Sequence, residues 1–239
     1  MAYIIQNYWK LLLSGLGTTV LLAVVGTGAG FLLSLLIVIL RTQKIDKKRD
    51  CWIIRVLKTV GNWFAVVYIT IFRGTPMMVQ ALILFYGLSP LGLVWWTPLM
   101  AGLTVITLNT TAYIAEVIRG SVNAIDKGQM EAGRSLGFSH LKTMFLIIYP
   151  QAIRNSLPAI GNELIVNLKD SSVLNVIMVT ELFKIGQEIQ GKTFDTVSVY
   201  VIVATLYLVL TLLTSLLVRY LERRQGFRKE KFKSQMAVA

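Results

Sequence analysis

Residues 11–40 run for 30 positions without one ionisable side chain. As an α-helix that stretch reaches ~45 Å, more than the ~30 Å hydrocarbon core of a bilayer, so it spans with tilt or with an interfacial first turn. A secretory leader would need a basic start, a short apolar stretch and a small-residue cleavage site. This segment is too long and has only Lys10 before it, so it reads as a permanent helix. The chain as a whole agrees: 55% of its residues are apolar and 15% charged, with mean hydropathy +0.65. A soluble domain carries about 25% charge, so an ordinary cytosolic enzyme is excluded.

Further apolar stretches at about 56–87, 96–118, 157–182 and 197–218 make five spans and predict an all-α, polytopic membrane protein. An odd number puts the termini on opposite sides. Seven Lys/Arg fall in 41–58, five in 119–154 and seven in the basic tail 219–239, while the loops of the other face hold Lys10, Lys184 and Lys192. That 19 to 3 asymmetry predicts an N-terminus outside and a cytoplasmic tail. The net charge of +12 therefore reads as membrane orientation, not as nucleic-acid binding.

Trp95 and Trp96 lie in an uncharged loop and read as interfacial anchors. Cys51, the single cysteine, reads as a bystander thiol, and His140 is the single histidine, so no metal site is expected. Residues 186–193 match the P-loop pattern G-x-x-x-x-G-K-[ST] letter for letter. A P-loop needs a buried strand before it and a helix start after it, whereas this octapeptide follows a membrane segment and faces outside by charge topology. The match is read as accidental, with ATP hydrolysis assigned to another polypeptide.

Between the third and fourth spans lie about 35 polar residues. Asp126 with Gln129 has capping-box spacing, Gly137 suits a helix C-cap, and Ser139 can start a second helix that Pro150 would interrupt or end. Two short helices outside the bilayer are predicted, a solvated connection on this evidence alone. Yet Glu131-Ala132-Gly133, Gly137 and Ile147-Ile148-Tyr149-Pro150 resemble the EAA loop, E-A-A-x3-G-x9-I-x-L-P, of permease subunits in bacterial ABC importers. Gly133 stands for the second Ala and Tyr149 for the Leu. The resemblance extends to Ser14-Gly15-Leu16-Gly17-Thr18-Thr19, Phe72-Arg73-Gly74-Thr75-Pro76, Leu108-Asn109-Thr110 and Leu168-Lys169-Asp170-Ser171-Ser172, in the branch that imports polar amino acids.

The resemblance implies a type I importer: a single permease domain over 1–239, two ATP-binding cassette ATPase subunits, a second permease that is another copy or a paralogue, and an extracytoplasmic solute-binding protein. It places the chain in the bacterial plasma membrane, in contact with lipid and amino-acid substrate. No cofactor is expected in this chain, ATP and Mg belonging to the ATPase. The loop at about 119–154 would couple to the ATPase through Glu131, Ala132, Gly133, Gly137 and Pro150, with small residues allowing close helix approach.

For the substrate, the residues themselves point to two places. The stretch 58–87 is too long for one straight span, and neither half reaches the ~20 residues needed alone, which suggests one broken span. Thr75 is a good N-cap and Pro76 suits the first helical position, so the break falls at Arg73-Gly74-Thr75, and a helix start there suits a carboxylate. A packing kink, with Arg73 reaching an interface, is the other reading. In the fourth span Glu163, Asn167 and Asp170 recur at i, i+4 and i+7 and share one face, with Asp170 ~18 Å along the helix from Pro158. Midplane ionisable groups are retained when they line a polar path or pair, here with Lys169 or Arg73. Asn109, Tyr113 and Glu116 repeat the spacing in the third span and suit helix packing, while Glu116 with Arg119 is assigned to a gate. An ion-coupled secondary transporter or channel is the competing reading, and a membrane enzyme the third, since no activated nucleophile or metal cluster is visible.

Overall fold

The computed structural model describes residues 1–43, 45, 46 and 50–224, and these are mostly helical, with no strand among them. The order is α1 (Ala2–Thr42), α2 (Trp52–Gly74), α3 (Met77–Leu88), α4 (Pro98–Ala124), α5 (Lys127–Ser135), α6 (His140–Thr143), α7 (Tyr149–Asp170), α8 (Leu182–Thr193) and α9 (Thr196–Arg224). A π-helical turn, Met144–Ile148, joins α6 to α7, and a 3₁₀ segment, Ser171–Ile177, follows α7. Lys44, Lys47, Lys48, Arg49 and most of the predicted basic tail lie outside the described residues.

The opening apolar stretch becomes the spine of the fold. Ile4 and Leu12 of α1 pack with α8 and α9, Leu22 with α3, α4 and the 3₁₀ segment, and Ile37 and Val38 with α2, α4 and α7. Its tightest neighbour is α4. A β-carbon on Gly30 would lie 2.9 Å from Thr110 Cβ, one on Gly26 would overlap Ile106, and Thr111 Oγ1 donates to the Gly30 carbonyl at 3.2 Å. Apolar side chains gain nothing over lipid by meeting one another in a membrane, so backbones that approach this closely through glycines four apart supply dispersion and polar contacts instead.

Four helices, α1, α2, α4 and α9, are long and apolar enough to cross a membrane by length and composition. Two expected spans are redrawn. The second is not one broken unit with two short halves: Arg55 and Lys58, read as loop, sit in the first turns of α2, which at 23 residues is long enough by itself, and α3 is a separate helix of 12. The fourth stretch, 157–182, is not a single helix. It is the end of α7, the 3₁₀ segment and a cap, and Asp170 is the last residue of α7, where the sequence predicts one continuous span with Asp170 near the middle of the core. Pro158 does not begin the helix: α7 begins at Tyr149 and carries Pro158 inside it.

Pro150 follows an interruption of the α-helical bonding, as its position predicts, and does not end the helix. It lies at the first turn of α7, where a missing N–H is tolerated, and the preceding turn widens so that Tyr149 N–H reaches the Met144 carbonyl. Helical backbone is therefore continuous from His140 to Asp170.

Candidate functional site: a helix break, a polar helix face and an exposed hairpin

At the break, α2 stops at Gly74, Thr75 and Pro76 are extended, and α3 starts at Met77. The N-cap is Pro76, one residue later than read, because its carbonyl accepts from Val79 and Gln80 N–H at 3.0 and 3.2 Å. Thr75 is thereby released from capping, and its hydroxyl donates to the Ile71 carbonyl at 2.8 Å. The carbonyls orphaned by the break are satisfied by two residues that sequence reasoning did not single out for it. Gln80, buried, donates to the carbonyls of Phe72 and Thr75 at 3.0 Å each and to Thr75 Oγ1 at 2.9 Å. Asn109 of α4 donates to Gln80 Oε1 at 3.0 Å and to the Phe72 carbonyl at 3.3 Å. A lone Gln in an otherwise apolar helix start was the available signal. With the acceptors consumed, what the break presents outward is positive: the first N–H groups of α3 and the exposed Arg73, whose guanidinium lies 5.3 Å from the Tyr113 ring centroid.

The polar face of α7 divides. Asn167 is 4% exposed, and its amide donates to Thr27 Oγ1 of α1 at 2.8 Å and Thr110 Oγ1 of α4 at 2.9 Å. Glu163 is half-buried and Asp170 exposed, and neither pairs with Lys169 or Arg73 within ion-pair distance. Asp170 leads directly into the 3₁₀ segment whose Leu174 and Ile177 pack with Ala81 of α3. The break and the end of α7 thus border one region. Glu116 and Arg119 form an ion pair one turn apart on α4, with Nε donating to Oε2 at 2.8 Å.

The polar loop folds as a capped hairpin. Asp126 Oδ1 accepts from Gly128 N–H at 2.6 Å, while the Gln129 side chain, instead of closing a capping box, accepts from Gln151 Nε2 at 3.4 Å. At the far end Gly137 has φ +80°, with Phe138 N–H on the Gly133 carbonyl at 3.0 Å and Gly137 N–H on Arg134 at 2.9 Å, a Schellman closure that favours glycine. Ser139 caps α6 through Lys142 N–H at 3.3 Å. Gly133 is buried, and a β-carbon there would meet Thr143 Cγ2 at 2.6 Å, so its smallness serves packing inside the hairpin. Glu131 and Ala132 are exposed beside Leu136 and Leu141, at 74% and 53% exposure, which gives the hairpin an apolar tip with a carboxylate on it.

Glu181, fully buried, was missed altogether. It caps α8, accepting from Phe183 N–H at 2.9 Å, Lys184 N–H at 2.7 Å and the Tyr207 hydroxyl of α9 at 2.6 Å, while Leu182 N–H donates to Thr19 of α1 at 3.2 Å. The P-loop look-alike, 186–193, lies inside α8, where its N–H groups are spent on helix bonds and cannot cradle phosphates. Trp96 Nε1 donates to the Phe85 carbonyl at 3.2 Å and so ties α3 to the start of α4, and Trp95 is exposed.

Residues 52–226 match the family of binding-protein-dependent transport system inner membrane components. The L-cystine transport system permease protein TcyB of Bacillus subtilis (strain 168) is 36% identical over 220 residues, covering 92% of this chain and 88% of its own. The glutamine transport system permease protein GlnP of Escherichia coli (strain K12) is 38% identical over 216 residues, covering 90% and 92%. A crystal structure of an amino acid ABC transporter with histidines superposes with a TM-score of 0.79 at 38% identity, over 92% of this chain and 96% of that one.

Proposed function

Because this chain belongs to the family of binding-protein-dependent transport system inner membrane components, as a permease of a type I ABC amino-acid importer, we propose that it carries a polar amino acid across the bacterial plasma membrane under the control of a separate ATPase. The family sets aside the ion-coupled and membrane-enzyme readings, since the subunit is a transport component and not itself an enzyme. Two ATPase subunits bind ATP and Mg, this chain holds no cofactor, a second permease completes the path, and a solute-binding protein delivers the amino acid from outside. The N-terminus faces outward and the basic tail the cytoplasm.

The observation that carries the coupling half of this reading is the rigid hairpin with an exposed tip. Both of its turns are capped, Gly133 locks α5 onto Thr143, and Glu131, Ala132 and Leu136 remain outside. Docked in the ATPase, a hairpin stiffened in this way transmits rigid-body motion into α7, with which it is continuous. Glu131, Ala132, Gly133, Gly137 and Pro150 form the coupling element: the first two by contact, the two glycines by fixing its shape, the proline by starting α7.

Along the path, the amino-acid carboxylate meets the positive helix start at Gly74, Thr75 and Pro76, and Glu163 or Asp170 takes the ammonium group, so hydration is exchanged for fixed polar groups of opposite sign. Asn167 holds α7 in place for this. Glu116 and Arg119 form the gate. Purification in mild detergent with the co-eluting subunits, followed by identification of the bound amino acid, tests partners and substrate together. Glu131→Arg is expected to abolish ATPase association and transport while membrane insertion stays intact. Crosslinks from the ATPase confined to residues 41–58 would refute the docking assignment.

A further inference from the structure

Thr42 ends α1, and its hydroxyl lies 2.7 Å from that of Tyr149, the first residue of α7, 107 positions later in the chain. The direction of this bond follows from its neighbour. Thr42 Oγ1 donates its proton to the Val38 carbonyl at 2.7 Å, so Tyr149 is the donor and Thr42 the acceptor, in a relay that ends on a buried backbone carbonyl of α1. The tyrosine is held for the task. Its N–H is committed to Met144 across the π turn, its ring meets Phe145 edge-on at 5.2 Å, and it lines an apolar groove with Leu35, Val38 and Ile39 of α1 and Ile118 of α4.

An apolar surround limits water at the hydroxyl pair and so strengthens it. The π turn matters to the aim, because one extra residue in a turn rotates everything before it by about 100° relative to α7. A leucine at this position, as in the EAA pattern, would fill the groove and leave the Thr42 hydroxyl with its bond to Val38 alone. Two further polar pairs sit close by. Arg41 Nη1 donates to Asn62 Oδ1 of α2 at 3.0 Å, and the hydroxyls of Ser156 of α7 and Ser121 of α4 lie 2.8 Å apart.

We propose that the Tyr149–Thr42 bond is a clasp that makes α1 move with the coupling hairpin, Tyr149 and Thr42 being positioning residues for transport. The inference rests on the coupling reading above and adds its route: displacement of the hairpin passes through the start of α7 into the spine helix that contacts all three cores, with Ser156 passing it to α4 and Arg41 to α2. Without the clasp the hairpin still docks, and the Thr42 end of α1 follows it less closely, while Asn167 still holds α7 to Thr27 farther along α1.

The test uses the assembled complex with its ATPase in a Cys51→Ser background, with spin labels at Leu36→Cys on α1 and Lys127→Cys on α5, both exposed positions. Distances are compared between the nucleotide-free state and the state trapped with ATP and vanadate. In the parent and in Thr42→Ser, which keeps the acceptor, the separation is expected to change by less than about 2 Å, the size of an ordinary helix shift. In Tyr149→Phe and Thr42→Val it is expected to change by about twice that or more, and the double variant should go no further than either single, as for two residues acting through one bond. Parent-like distances in Tyr149→Phe, additive effects in the double variant, or loss of assembly in both singles would overturn the clasp. Glu131→Arg separates the two levels. Intact assembly there removes the coupling reading, whereas parent-like distances in Tyr149→Phe remove the clasp alone.

Discussion

Two sets of polar side chains lie among the apolar helices, and they differ in how completely they are satisfied. Around Asn167 and around Glu181 every group has its partners: Thr27 and Thr110 for the amide, and two N–H groups and Tyr207 for the carboxylate. Around the helix break and the end of α7, Arg73, Glu163 and Asp170 have no ion-pair partner among the described residues, Arg73 resting on the Tyr113 ring. A polar atom in this environment is expensive unless it is paired, so closed sets read as glue and open sets as the place where something else supplies the missing partner. Residue type does not separate the two. Asn167 lies on the same helix face as Glu163 and Asp170 and belongs to the other class.

The comparison breaks most readily at Glu181. Glu181→Leu strands two helix N–H groups and a buried hydroxyl, and should destabilise the complex by ~3 kcal/mol, read as a lowered midpoint of thermal unfolding in detergent; an unchanged midpoint would end the distinction between closed and open sets. Asn167→Leu should do the same by ~1–2 kcal/mol, less because it takes a donor from two neutral hydroxyl oxygens, Thr27 and Thr110, and strands no backbone N–H. For the open set the signature inverts. Asp170→Asn and Glu163→Gln should lower amino-acid uptake about tenfold with assembly and thermal midpoint unchanged, measured side by side on one preparation. If those variants transport normally, the carboxylates are structural and the path assignment falls. Thr75→Val should cost only about two- to threefold in uptake, since Gln80 keeps its bonds to both carbonyls of the break. At the small end, Lys192→Ala should leave ATP hydrolysis by the assembled complex unchanged; lost nucleotide binding would mean that α8 unwinds into the loop its sequence mimics.

Much of this was legible in the chain because the signals were local. The Gly137 and Ser139 turn and the Asp126 cap need only the residues beside them, and all three appear where their chemistry places them. The break was placed to within one residue for the same reason: a Gly-Thr-Pro sequence must interrupt a helix, and whether Thr or Pro does the capping depends on where Gln80 sends its amide. Errors came where tertiary structure overrode a local rule. Their charge places Arg55 and Lys58 in a loop, yet Lys58 reaches Asp50 at 2.7 Å and Arg55 Nε donates to the Asp50 carbonyl at 2.9 Å, and α2 starts before them. Nothing near Asn167 tells that its partners are 140 and 57 residues away, and Glu181 caps a helix in place of the usual short side chains because Tyr207 closes the set from α9.

The glycine face of α1 has a consequence for biogenesis. Gly30 leaves the ribosome 81 residues before Thr111, which accounts for about 4–16 s of synthesis at ordinary elongation rates. During that interval the glycine face of α1 that will receive α4 has no α4 against it. The first helix must therefore wait in the bilayer, and the stripe that later admits α4 is open meanwhile to any other helix with small residues, so the order of synthesis makes the spine both the earliest element and the one most exposed to a wrong partner.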